Sequence, residues 1–477
     1  MAMYKVPSNS FFRLHHPRPR FKNHSQEVIN YIALSISELG TIPTVDFNTK
    51  FDKAIRLFPG NSEKSSKTIA NWRTEISTLF SMIRSEDGFT TPTKTATRLV
   101  QNQDLIDFFR HFLLTFQYPG GHVKSHEAAE MIRAGVKFHP ASFFIDVLLE
   151  GQKLKTSGST FGISPSEATH LMLHDLRVTS RHELSPETIA SKILENRRIR
   201  VEYVREGAVI RYAKDILDYM VIADILTYRA ATDTYSLKPK SISAALALRN
   251  AVVFFDGYDH LYNGQPTASD VAECQLEWID FVNQERSIAG FDDDISEILA
   301  FSSDNSSEEV DALFIEGIKK ALSGNANDIG RIGEALAIAH EQNRLRALGR
   351  DDLVDRVKKI PESLGVGYDI KSFEVLSKES TDAPLYVEVK TTRSRSKNLF
   401  MSFKMTHNEW TVSERNNAYC IYRILLTPEG PSLFVIRNPW EHYVQGALSM
   451  TTRDGAEITY TTDCGHWEEF QLLKKAS

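Results

Sequence analysis

Cysteine is scarce in this sequence. The three cysteines in 477 residues, Cys274, Cys420 and Cys464, are far apart, odd in number and in no ligand spacing. That excludes a disulfide scaffold and a zinc site built from cysteines, and it fits a reducing cytoplasm. Long hydrophobic runs are missing too: no stretch of about 18 apolar residues exists, so no transmembrane helix and no membrane role are expected. The opening MAMYKVPSNSFFRLHH has no apolar core of the signal-peptide kind. There is no G-x-x-x-x-G-K-[ST] loop, no G-x-S-x-G and no kinase motif set, which excludes those nucleotide and hydrolase chemistries. Asp292, Asp293 and Asp294 lack the calcium-loop spacing and read as a solvated charge run.

What is present is the composition of a globular chain, 42% hydrophobic and 25% charged. Its length suggests two to three domains. The net charge of -6 hides a gradient. Residues 1–110 carry 15 Lys+Arg against 10 Asp+Glu, and residues 276–477 carry 23 against 33. The basic excess at the N-terminal end suits contact with an anionic polymer there.

Residues 1–27 read as an extended basic arm, ordered by a partner, with Arg18, Arg20 and Lys22 as phosphate contacts. His15, His16 and His24 belong to it. Next, SSKTIANWRTEISTLFSMI (65–83) places Ile69, Trp72, Ile76, Leu79, Phe80 and Ile83 at helical spacing, with Ser65 or Ser66 as the cap. A Gly-containing turn follows, so helix, helix and hairpin suggest a winged helix-turn-helix. GISPSEATHLML (162–173) and AKDILDYMVIADILTYRAATDTYSLKPKS (213–241) suggest the pattern again, giving two or three winged modules between about 28 and 250. His122, His126 and His139 near a Gly-Gly turn read as surface or DNA-backbone residues. Phe116, Tyr118, Phe143 and Phe144 read as core. The expected division is a recognition region over 1–285, an acidic linker over 286–311 and an α/β domain over 312–477.

The chemistry concentrates in GYDIKSFEVLSKESTDAPLYVEVKTT, 367–392. Gly367–Ile370 and Leu385–Lys390 read as two strands of a hairpin. Side chains alternate, so Glu388 and Lys390 share one face, and Val387 and Val389 take the other. Two carboxylates and an ammonium on one side of a hairpin are costly to desolvate unless a metal or a substrate uses them. Phosphodiester hydrolysis needs such a set. Asp369 and Glu388 can hold Mg²⁺, and Lys390 can orient water or neutralise developing charge. Glu334, in the helix Gly333-Glu334-Ala335-Leu336, could complete the metal shell, with Glu341 as the alternative.

Gly333-Glu334, then Gly367-Tyr368-Asp369-Ile370, then Glu388-Val389-Lys390, Thr391-Thr392 and the helix start at Asn408-Glu409-Trp410 together resemble the PD-(D/E)XK nuclease superfamily. Residues about 325–445 resemble its Mrr-like module. Residues about 70–175, with LLTFQYP (113–119), HPASFFIDVLLEGQKL and GISPSEATHLML, resemble the DNA-binding region of AlwI-type type IIS restriction and nicking enzymes. The resemblance implies a mainly α winged-helix region joined to an α/β restriction-endonuclease-like core, a mixed sheet flanked by helices. It implies a Mg²⁺-dependent, sequence-specific endonuclease on double-stranded DNA, with Asp369, Glu388, Lys390 and Glu334 as the catalytic set. Arg393, Arg395 and Lys397, just after the catalytic strand, are expected to hold the DNA backbone. Double-strand cleavage implies a homodimer, a partner subunit or two sequential events, with a monomeric nickase also open, and a restriction system implies a cognate methyltransferase. A methylation-dependent nuclease and a non-cleaving DNA-binding defence or regulatory subunit are the alternatives.

Overall fold

The computed structural model describes residues 3–291, with breaks at 17–24, 59–60, 103, 156–158, 206 and 289. It also describes 329–470, with breaks at 362–364, 376–382, 394–401, 428–429 and 453–455. The chain divides into two units, Met1–Gln101 with Leu105–Phe291, and Asn102–Asp104 with Asp292–Ser477. The expected linker lies, from residue 292 onward, outside the described residues, as do Arg18, Arg20, Lys22, His24, Arg395 and Lys397.

The first unit is mainly helical. Helices Ser25–Leu39 and Thr44–Leu57 flank the short strand Ile42–Pro43, and a third helical stretch runs from Ser66 to Leu79. Strands Ile83–Glu86 and Phe89–Pro92 form a hairpin, and Ile42–Pro43 pairs with its second strand. This is the element order of a winged helix. Its local causes are plain. Ser65 caps the third helix by accepting the Thr68 N–H. Ile69, Trp72, Ile76 and Leu79 are buried along one stripe. Asp87 and Gly88 both take positive φ, the left-handed pair that a tight hairpin turn requires.

A second winged arrangement follows. Helix Pro140–Lys153 leads to Ile163, then to the helical stretch Pro165–Leu173, helix Ala208–Ile222 and the hairpin Leu226–Arg229/Thr234–Leu237. Ile163 bridges Tyr235 on the hairpin's second strand, as Ile42–Pro43 does in the first module. The stretches at 162–173 and 213–241, which read as separate repeats in the sequence, are therefore one module with helix Pro186–Arg198 inserted between them.

Two expectations are corrected in this unit. Residues 3–16 are not a free arm: Tyr4 N–H donates to the Glu202 carbonyl, Phe12 N–H to His174, and Leu176 N–H to Ser10. His16, His122 and His139 are buried rather than on a DNA-facing surface. His16 meets the Tyr118 hydroxyl at 3.1 Å. Burial pushes the His122 and His139 imidazoles down, to about 3 and about 4, so both are neutral core rings. Phe116, Tyr118 and Phe144 are core, as their spacing suggested.

In the second unit the strands are β1 Lys358–Lys359, β2 Ile370–Glu374, β3 Ala383–Arg393, β4 Ser402–Met405, β5 Tyr419–Thr427, β6 Gly430–Arg437, β7 Leu448–Thr452, β8 Ala456–Tyr460 and β9 His466–Glu468. The helices are α1 Ile329–Ala347, α2 Asp351–Val354, α3 His407–Arg415 and α4 Pro439–Val444. Six strands form a mixed sheet in the order β9-β6-β5-β3-β2-β1, with β3 and β5 parallel and the other neighbours antiparallel. Strand β5 is buried along its whole length, which is why YCIYRILLT reads as a nearly continuous apolar run. Helix α1 covers one face: Ile332, Leu336 and Ala337 pack with Ile370, Leu385, Val387 and Val389. The other face is covered by α3, α4 and the small sheet β7-β8-β4, through Trp410, Tyr419, Ile421, Phe403 and Leu448.

Candidate active site on the central strands

Strand β3 puts Val387 and Val389 into the core under α1. Alternation therefore turns Tyr386, Glu388 and Lys390 to the opposite face. Antiparallel pairing with β2 matches Ile370 to Val387. Continuing that register by one residue sets Asp369 across from Glu388. The main chain of Asp369 donates its N–H to the Val387 carbonyl at 3.0 Å. Its carboxylate accepts the Val389 N–H at 2.8 Å. Asp369 thus grips the backbone on both sides of Glu388.

Glu388 is 3% exposed. Its Oε1 lies 2.6 Å from Lys390 Nζ. A third charge joins from a different element: Glu409 Oε2 lies 2.8 Å from the same ammonium. Burial pushes the Glu388 carboxyl up to about 8, with repulsion from Asp369 and Glu409 adding to it against the pull of Lys390. Burial opposes charge on Lys390 as well, but Glu388 and Glu409 outweigh it and hold the ammonium above its ordinary value. At Glu409 burial is likewise outweighed, by Lys390 and by hydrogen bonds from Thr406, and its carboxyl sits below the ordinary range.

The sequence therefore placed Asp369, Glu388 and Lys390 together, and the structure brings them together. Glu409 had only a place in the motif, without a role. Its signal was the T-x-x-E capping box Thr406–Glu409 just before an apolar run, which fixes where the carboxylate sits at the helix start. Nothing local pairs it with Lys390.

Glu334 sits on α1, the helix that covers the Val387/Val389 face, and forms an ion pair with Lys359 of β1. Lys359 is matched to Ile370, and the Ile360 N–H donates to the Asp369 carbonyl at 2.7 Å. The pair thus lies on the edge strand that flanks Asp369, while the ion pairs of Lys390 run to Glu388 and Glu409. Glu341 is structural. It is fully buried, takes two bonds from Arg344 at 2.9 and 2.7 Å, and accepts from the Ser372 and Tyr422 hydroxyls at 2.5 and 2.6 Å. All of its strong acceptor positions are committed, so it is not the alternative to Glu334.

Arg393 is a correction. It was expected to face the DNA backbone, but it is fully buried and pairs with Asp104 at 2.7 Å. A guanidinium without solvent exposure cannot meet a phosphate. Strand β3 runs through Arg393, three residues beyond the Lys390 end that the sequence suggests, and so carries this side chain inside.

Asp369 and Glu388 offer hard carboxylate oxygens on adjacent strands, which suits a small divalent cation that keeps several waters. Among the described residues no group of three or more His, Cys, Asp and Glu side chains is placed to hold a metal ion. Among the described residues, too, no helix is long and apolar enough to cross a membrane.

Comparison with known proteins divides along the same units. Residues 4–279 match the family model described as restriction endonuclease BpuJI, N terminal. Residues 333–436 match the model described as protein NO VEIN, C-terminal. Among solved structures, the BpuJ1 endonuclease binding domain in complex with pyrene- and phenanthrene-modified DNA is similar, with a TM-score of 0.51 and 18% identity. That likeness covers 59% of this chain and 100% of the other, and at this identity it establishes the fold. No curated protein matches. The N-terminal relation is thus to BpuJI, where the sequence motifs had resembled AlwI-type enzymes.

Proposed function

This chain belongs to the family of the restriction endonuclease BpuJI N-terminal domain, and from that premise we propose that it is a Mg²⁺-dependent, sequence-specific DNA endonuclease of restriction type. The observation that carries the catalytic half is the grip of Asp369 on both sides of Glu388, with Lys390 bonded to Glu388 on the same face. The recognition half rests on the two winged arrangements of the first unit and on the relative crystallised with DNA.

In this reading the winged modules bind duplex DNA, with a helix in the major groove and basic groups on phosphates. Arg18, Arg20, Lys22, Arg395 and Lys397 remain the proposed phosphate contacts. Asp369, immobilised by the Val389 N–H, and Glu388, held out of water, are the proposed ligands of the cation. When bound, Mg²⁺ supplies an activated water and charge neutralisation at the phosphate. Lys390 holds positive charge where negative charge develops on the phosphate oxygens. Glu334, paired with Lys359 on the strand beside Asp369, would support the cation from outside its two ligands. One such site cuts one strand, so double-strand cleavage uses a second copy or a partner subunit, with a cognate methyltransferase protecting the host DNA.

The test is cleavage of unmethylated and methylated phage DNA by the full chain in Mg²⁺, with Asp369→Ala beside it. Discrete fragments that disappear in the variant support the reading, and the DNA that yields them settles whether methylation is required. Duplex binding without cutting on any DNA would replace it with a non-cleaving DNA-binding subunit.

A further inference from the structure

We propose that Glu409 is a positioning residue of this site: it holds the Lys390 ammonium so that Glu388 is released to a divalent cation. The proposal rests on the nuclease reading above and deepens it.

Lys390 Nζ has two ion-pair partners, Glu388 at 2.6 Å and Glu409 at 2.8 Å. One of these carboxylates is a proposed cation ligand. A cation that draws on Glu388 competes with the ammonium for the same oxygen. With Glu388 as its sole partner, Lys390 would resist that exchange, or would lose its anchor once the exchange occurred. An ammonium on a flexible four-carbon stem does not stay in place without one. Glu409 removes the conflict, because it keeps Lys390 paired and in position whichever way Glu388 turns.

Glu409 is itself fixed. It is the third residue of α3, and the Thr406 hydroxyl accepts its N–H at 3.2 Å. Its Oε2 accepts the Thr406 N–H at 3.1 Å, completing the capping box, and the same oxygen accepts from Lys390. The carboxylate is therefore aimed by the helix start rather than by its own rotamer freedom. In a capping box the glutamate side chain reaches back to the N-cap main chain. This one is turned onto the sheet face that carries Glu388 and Lys390, and its side chain is 16% exposed. Two functions, closing the helix and anchoring the lysine, meet on one oxygen.

The two functions separate experimentally. Thr406→Ala removes the hydroxyl that accepts the Glu409 N–H and leaves both carboxylate bonds, to the residue-406 N–H and to Lys390, whereas Glu409→Ala keeps the hydroxyl bond and removes both carboxylate bonds. Titration calorimetry of the full chain with Mn²⁺ in the absence of DNA, together with single-turnover cleavage and thermal melting, provides the readouts. Glu409→Ala is expected to weaken Mn²⁺ binding and slow cleavage by roughly 10- to 100-fold, the range for residues that orient ligands from outside the metal shell. Duplex affinity is expected to be unchanged. Glu409→Gln, which keeps an acceptor oxygen for both bonds, is expected to fall between Glu409→Ala and wild type. Thr406→Ala is expected to lower the melting temperature without shifting Mn²⁺ affinity. If Glu409→Ala follows Thr406→Ala in every readout, or binds Mn²⁺ as wild type does, Glu409 is only a cap and the proposal is wrong. Wild-type protein that binds no Mn²⁺ and cuts no DNA would instead sink the nuclease reading itself.

Discussion

The carboxylate of Asp369 accepts the main-chain N–H of Val389 at 2.8 Å, so a residue just outside β2 is welded to the backbone of β3 beside Glu388. Charge and geometry can be separated there. Asp369→Asn keeps an oxygen that accepts the N–H but loses the charge. Its melting temperature is expected to stay near wild type while divalent-cation affinity falls by more than about 10-fold. Asp369→Ala also loses the bond and is expected to be about 1 kcal/mol less stable than the Asn variant. Urea unfolding and cation titration on the two variants check both statements.

Proton and cation compete for Glu388. Burial raises its carboxyl to about 8 in the fold, above the ordinary 4.5. Cation affinity is therefore expected to climb with pH and to level off above about 8. In the absence of cation the folded state binds this proton more tightly than the unfolded chain. That stabilising contribution is complete below about 4.5 and is lost as pH rises through about 8. Glu388→Gln has no proton to lose. Its melting temperature is expected to vary less across that window, and a profile identical to wild type would show that another group titrates there.

Gly333 lies against Thr391, and a Cβ on Gly333 would fall 1.7 Å from the Thr391 Oγ1. The helix that carries Glu334 can reach strand β3 only because that atom is absent. Gly333→Ala is expected to cost roughly 1–3 kcal/mol from overpacking. Adding Thr391→Ala is expected to recover part of the loss, because it removes the nearest clashing atom. A double-mutant cycle by urea unfolding gives the sign: additive effects would mean that the two side chains do not meet.

Glu341 separates a structural carboxylate from a chemical one on the same helix. Burial opposes its ionisation, but Arg344, Ser372 and Tyr422 outweigh that cost and keep it below its ordinary value. Glu341→Ala leaves the Arg344 guanidinium, which is 14% exposed, without its carboxylate and with the Phe373 carbonyl as a remaining acceptor. The expected loss is about 3–5 kcal/mol. Glu334→Ala is expected to unfold near the wild-type temperature and to show its defect in cleavage. Melting curves for the two variants decide the matter, and equal destabilisation would contradict the division.

Much of this protein was legible locally. The stripe Ile69, Trp72, Ile76 and Leu79 fixed a helix face, Ser65 its start, and the alternation in β3 put Glu388 and Lys390 on one side. These features depend on periodicity and on hydrogen bonds between near neighbours, which a linear sequence carries directly. Partner identity is different, because it depends on how distant segments cross. Nothing near Arg393 in the sequence announces Asp104. The arm-like residues 3–16 look solvated until Glu202 and His174 accept their N–H groups. His122 reads as a surface residue until Phe116, Tyr118 and Trp278 enclose it. Ile163 and Tyr235 unite two apparent repeats across an inserted helix. Residue types and spacing thus determined the charges at the site and the face they share. Only the tertiary structure decided that Glu341 is spent on Arg344, and that Lys390 shares its charge with Glu409, because burial and long-range pairing exist only once the sheet is assembled.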